Sequence, residues 1–105
     1  IDFTKIPVVD AVNMIIITAV DLGASDIHFD PTDEGITVRI RIDGILRDQF
    51  FLPKEIKQNV TTRIKIMAGM NITEKRLPQK GGIRLWYKRY HKRKRTRPQS
   101  IFITY

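Results

Sequence analysis

Arg39 and Arg41 stand two residues apart in a run where Ile36, Val38, Ile40 and Ile42 alternate with Thr37, Arg39 and Arg41. A strand sends residues i and i+2 to one face, so both guanidinium groups leave the same side. Two fixed forks on one face suit phosphate oxygens, which accept paired charge-assisted hydrogen bonds. The same spacing equally describes a solvated face whose arginines pair with Asp26 or Asp48. Asp26, His28 and Asp30 form a second one-face set. A carboxylate beside an imidazole is the raw material of an acid–base pair. The spacing assigns them no nucleophile, however, and a structural or interface cluster on a polar strand face produces the same pattern.

Two further clusters carry charge. Glu74, Lys75 and Arg76 follow the second helical pattern, where they can cap its end or reach a partner. Lys88, Arg89, Lys92, Arg93, Lys94, Arg95 and Arg97 lie near Trp86, Tyr87 and Tyr90. Phosphate-seeking charge beside stacking rings permits nucleic-acid or anionic-membrane contact, and a solvated basic hairpin has the same composition. His28 and His91 are far apart and there is no cysteine, which removes disulfides, thiolate metal sites and any paired zinc-ligand spacing. The absence of cysteine favours an intracellular setting.

The 105 residues suffice for one small core. The net charge of +8 is not spread evenly. Residues 1–79 hold ten Lys/Arg against eleven Asp/Glu, whereas residues 80–105 hold nine Lys/Arg and no acid. The high pI therefore belongs to the last quarter of the chain. The apolar run Val8 to Leu22 is interrupted by Asp10, Asn13 and Asp21 and is shorter than the roughly 20 apolar residues that span a bilayer.

That run instead predicts a helix. Val8, Val12, Ile15, Ile16, Ala19 and Val20 recur at helical spacing, Val9, Ile17 and Leu22 widen the apolar face, and Gly23 suits the C-terminal stop. Ser25 to Asp30 alternates as a half-buried strand, Pro31 to Gly35 has turn chemistry, and Ile36 to Ile42 alternates again. Asp43-Gly44 is a two-residue hairpin signal leading into a returning strand, Ile45 to Leu52. Pro53 opens a second helix with Ile56, Val60, Ile64 and Met67 as its stripe and Lys57, Arg63 and Lys65 mainly off it; Gly69 or Asn71 ends it. Gly81-Gly82 reads as a flexible break. Ile83 to Tyr87 and Ser100 to Tyr105 have strand composition on either side of a basic loop. The sum is an α/β (α+β) domain, an antiparallel sheet with two main helices packed on it.

Three blocks in this order, SDIHFDP, VRIRIDG and RIKIMAGMNITEKRLPQ, resemble the N-terminal domain that adjoins the motor in type II secretion and type IV pilus-assembly ATPases. The resemblance covers about residues 6–79 and implies a PAS-like fold. It also implies a non-catalytic regulatory and assembly module, docked on an ATPase domain and on neighbouring subunits of a hexamer. Such a parent works in the cytoplasm, peripheral to the inner membrane beside other secretion or pilus machinery, and uses ATP and magnesium. By position, Arg39, Arg41 and Arg76 then approach the nucleotide held by the motor. Asp43 and Gly44 build the hairpin, and Glu74, Pro78 and Gln79 form the connection toward the motor.

Two departures limit the resemblance. No Gly-x-x-x-x-Gly-Lys-Ser/Thr loop occurs, so nothing cradles the β- and γ-phosphates of ATP, and the chain by itself is expected not to hydrolyse ATP and to hold no cofactor or metal. Lys80 and Gly82 stand where the family pattern has Asp and Arg. Residues 80–105 are therefore expected to form a divergent basic segment, a hairpin completing the sheet. The reading from another function class is a small basic nucleic-acid-binding module acting through residues 84–97.

Overall fold

The computed structural model describes residues 1–87 and 97–105, with side chains outside 85–99. After a 3-10 turn at Phe3–Lys5 come helix α1 (Val8–Asp21), strands β1 (Asp26–Thr32), β2 (Gly35–Ile42) and β3 (Ile45–Pro53), and helix α2 (Lys54–Met67). Strands β4 (Lys80–Tyr87) and β5 (Arg97–Thr104) follow. The strands form one sheet in the order β3-β2-β1-β5-β4. The predicted α+β class is observed. One neighbour pair departs from an antiparallel sheet: β5 runs parallel to β1, with Asp26 beside Phe102 and His28 beside Thr104.

The alternation in β1, β2 and β5 sends Ile27, Phe29, Ile36, Val38, Ile40, Ile101 and Ile103 to one face, where all are buried. Helix α1 covers this face with Ala11, Val12, Ile15, Ile16, Ala19 and Val20, and α2 with Val60 and Ile64. Each buried Val, Ile or Phe among them contributes roughly 1.5–3 kcal/mol by leaving water. Val9, Ile17 and Leu22 do not join the core. Each is more than 40% exposed, because among the described residues α1 meets neighbours on one side only.

Both helices stop in the same way. The Ala24 amide donates to Ala19 O and Gly23 to Val20 O; the Met70 amide donates to Lys65 O and Gly69 to Ile66 O. With Gly23 at φ +74° and Gly69 at φ +68°, these are paired left-handed stops that satisfy the last carbonyls. The choice between Gly69 and Asn71 thus falls on Gly69, and the turn drives Met70 into the core.

Two local readings are revised. Pro31 lies within β1, opposite Ile36, because the turn narrows to Asp33-Glu34. Beyond His28, β1 has no β5 partner, and a proline is tolerated on such an open edge. Gly81-Gly82 is not a break but part of β4, paired with Ile103 and Phe102. A Cβ on Gly81 would stand 2.3 Å from the carbonyl oxygen of Ala68, so glycine lets β4 pass close under the end of α2.

Lys65 also departs from the helical pattern. It is only 3% exposed, the single buried charged side chain among the described residues. Its stem lies along the core edge. Its Nζ donates to Glu74 O at 2.5 Å and sits 5.2 Å from the centre of the Tyr105 ring.

Candidate functional site: the open face of the sheet

With both helices on one face, the other face of the sheet carries no helix among the described residues. Arg39 and Arg41 sit on it as the alternation demands, opposite His28 and Asp26 in the β1–β2 register. Asp48 joins them from β3. A register shift after Val38 places one extra residue, Gln49, in β3, so Asp48 faces Arg39 and Leu46 faces Arg41. The Asp43-Gly44 turn, at φ 51° and 78°, closes this hairpin as its sequence predicted.

Asp26 is the hub of the face. Its Oδ1 accepts from Ser25 Oγ at 2.6 Å and lies 3.2 Å from Arg41 Nε; its Oδ2 lies 2.5 Å from His28 Nε2. Partial burial pushes the Asp26 carboxyl up. The Ser25 hydroxyl, the His28 ring and the Arg41 charge together outweigh burial and hold it below the ordinary 3.8. Arg39 lies between two carboxylates, its Nε 3.0 Å from Asp48 Oδ1 and 3.5 Å from Asp30 Oδ2. Neither approach has hydrogen-bond alignment, so the charge is balanced while the Nε–H stays unmatched.

This arrangement speaks to both readings of the one-face sets. The arginines are paired, as the solvated-face reading requires. The pairing runs through Nε, however, and only Arg41 Nη1 has a further acceptor, Gly44 O at 3.2 Å. The remaining terminal nitrogens have no hydrogen-bond partner among the described residues, so each fork is anchored at its base with donors left over. The Asp26–His28 contact forms, but Asp30 turns to Arg39. Ser25 gives its proton to Asp26 rather than to the imidazole, so His28 does not activate it as a nucleophile.

Arg76 lies apart, on the 71–79 loop. Its amide and that of Leu77 donate to Glu74 Oε1 at 2.7 and 3.2 Å, and these bonds lower the Glu74 pKa. Its guanidinium makes no ion pair among the described residues. Gln79 fastens the loop. Its Oε1 accepts from the Asn71 amide at 2.7 Å and its Nε2 donates to Asn71 O at 2.8 Å, while its backbone exchanges two bonds with Tyr105. Pro78 is exposed beside it.

Three residues of the open face escaped the sequence reading. Phe102, 69% exposed, stands beside Asp26 because β5 pairs with β1; Lys80 and Arg84 follow through the β4–β5 register. The alternation Ile101-Phe102-Ile103 was the available signal, but pairing across 70 residues leaves no local trace. Lys88, Arg89, Lys92, Arg93, Lys94 and Arg95 lie outside the described residues, and Arg97 opens β5. Among the described residues no cluster of His, Asp or Glu has metal-binding form, and no helix is long and apolar enough to cross a membrane.

The sequence matches the type II/IV secretion system protein family over residues 3–102. The chain belongs to that family. Within it the chain is an N-terminal domain of the secretion and pilus-assembly ATPases. It is 43% identical over 79 residues to the type IV pilus assembly ATPase PilB of Myxococcus xanthus, a match covering 75% of this chain and 14% of that protein. It is 46% identical over 82 residues to the type II secretion system protein E of Xanthomonas campestris, covering 78% and 14%. The type II secretion system ATPase E of Vibrio cholerae is 35% identical over 79 residues, covering 75% and 16%. The chain thus spans about a seventh of the length of these relatives. The family match continues past Gln79 into β5, beyond the three blocks quoted from the sequence.

Proposed function

We propose that this chain is the non-catalytic regulatory and assembly domain of a type II secretion or type IV pilus-assembly ATPase. It docks through its open sheet face on the ATPase domain of a cytoplasmic hexamer at the inner membrane. The observation that carries this is the state of Arg39 and Arg41: held through Nε on a face without helices among the described residues, with terminal donors left over beyond the one Arg41 Nη1 gives to Gly44 O. Anchored forks suit phosphate oxygens of a nucleotide held by the facing domain, where positive charge stabilises the transferring phosphoryl group. Arg76, on its separate loop, is the third such arginine. Phe102 supplies apolar area beside them. ATP and magnesium belong to the facing domain, since this sequence has no phosphate-cradling loop. Strands β4 and β5 then complete the sheet as parts of the same domain. The comparisons, with secretion and pilus-assembly ATPases, lend no support to the nucleic-acid reading of residues 84–97.

The test grafts this chain in place of the matching segment of the Xanthomonas campestris relative and follows ATP hydrolysis. Arg39→Lys and Arg41→Lys keep charge but lose the fork. Each is expected to lower kcat by about tenfold or more, given the size of arginine-finger effects. Hydrolysis unchanged by both substitutions, with the assembly intact, would remove the reading.

A further inference from the structure

On the opposite side of the molecule, four lysines converge. Lys54 and Lys57 from the start of α2, Lys65 from its last turn and Lys75 from the 71–79 loop line one cleft of ≈ 470 Å³. No Asp or Glu lines it, and none of the four lysines forms an ion pair among the described residues. Two of the amines are held by neutral backbone oxygens instead: Lys57 Nζ by Thr32 O and Lys65 Nζ by Glu74 O, each at 2.5 Å. The Glu74 carboxylate, which the Lys65 charge helps keep ionised, is occupied by the amides of Arg76 and Leu77.

Like charges gathered around one cavity repel, and an almost fully buried ammonium is costly without a counter-charge. An anion in the cleft would relieve both. The remaining wall is not basic: Ile72 is partly exposed there, and the Tyr105 ring stands with its hydroxyl on Thr61. Positive donors at one part and an apolar, aromatic wall at the other fit a molecule with a phosphate group and a ring or apolar body. The volume lies in the range of small-molecule sites, roughly 300–1,000 Å³.

We infer that this cleft is a binding site for an organic phosphate of about mononucleotide size, separate from the arginine-bearing face. The phosphate lies among Lys54, Lys57 and Lys75, and the body packs on Ile72 and Tyr105. Because α2 lies on the core-covered side of the sheet, occupancy here does not require the ATPase domain.

Titrating the isotope-labelled chain with AMP, inorganic phosphate and phosphatidylglycerol vesicles tests this. AMP is expected to bind saturably and shift the amides of Lys57, Thr61, Ile72 and Tyr105, with inorganic phosphate binding more weakly at the lysines alone. The exposed pair Lys54→Gln/Lys75→Gln is expected to weaken AMP at least about tenfold while leaving the fold intact, as loss of charged hydrogen-bond donors implies. Arg47→Gln, a basic residue of β3 that does not line the cleft, is expected to leave AMP affinity unchanged. Vesicle binding abolished by the double variant would assign the organic phosphate to a lipid headgroup, and AMP saturation without vesicle binding to a free solute. The inference fails if neither AMP nor the vesicles bind saturably, or if the shifts map to Arg39 and Arg41. It also fails if the double variant binds as well as the unaltered chain.

Discussion

Arg41 Nε meets Asp26 Oδ1 at 3.2 Å across the β1–β2 register, and the same carboxylate also takes the Ser25 hydroxyl and the His28 ring. One aspartate therefore sets the base of an arginine fork whose outer donors stay available. That relationship makes Asp26 a positioning residue for Arg41 and ties the chemistry of the face to acid pH.

The pH dependence has a definite sign. Asp26 is held below 3.8 when folded, so the stability it contributes is present above the ordinary carboxylate value. That contribution is lost as pH falls through the depressed folded value. Asp26→Asn is therefore expected to be less stable than the unaltered chain at neutral pH, with the gap closing below pH 3.8. Urea denaturation at a series of pH values checks this. A gap that stays constant into strong acid would show that Asp26 acts through packing instead.

The sequence made the pieces of this face legible but not their assembly. Period-two alternation placed Asp26, His28, Arg39 and Arg41 correctly, because a half-buried strand forces that pattern. It did not decide between paired and free arginines, since that depends on the bulge at Gln49 and on which carboxylate lies across the ladder. Phe102 was out of reach for a related reason: a parallel partner distant in sequence writes nothing into either strand. Lys65 was misplaced because helical periodicity reports one element, whereas its burial comes from the 71–79 loop and Tyr105 closing over it.

Tyr105 predicts an alkaline effect. Burial raises its phenol above the ordinary 10.0, and the hydrogen bond with Thr61 only partly offsets that. A raised folded value means its contribution is whole below pH 10.0 and is lost as pH climbs through the folded pKa. Tyr105→Phe is expected to lose less stability than the unaltered chain between pH 10 and 12, measured by chemical denaturation. Equal alkaline losses in both proteins would contradict the assignment.

Gln79 predicts a local effect rather than a global one. Its side chain makes two short bonds to Asn71 and a longer one to Glu74 O, and these close the 71–79 loop. The groups are largely exposed, so water replaces much of what is lost. Gln79→Ala is expected to cost about 1 kcal/mol, the net value of such hydrogen bonds. Hydrogen exchange should quicken at Asn71 while the amides of β1 and β2 keep their protection. Uniform acceleration over the sheet would instead make Gln79 part of the global fold.

The two adjacent glycines of β4 separate close approach from strand pairing. A Cβ at Gly81 would lie 2.3 Å from Ala68 O and 3.0 Å from the Ala68 Cβ, so backbone at the end of α2 would have to shift. At Gly82 the nearest atom would be Ile101 O at 4.0 Å, an ordinary contact. Gly81→Ala is therefore expected to destabilise by about 1–3 kcal/mol, the usual range for overpacking. In a domain of this size that lowers Tm by several degrees, at roughly 4–8 °C per kcal/mol. Gly82→Ala is expected to change stability by no more than about 0.5 kcal/mol, as substitutions without such a clash do. Thermal melts of the two variants decide the matter. Equal melting temperatures would mean that β4 does not pass under the end of α2 as closely as the fold requires.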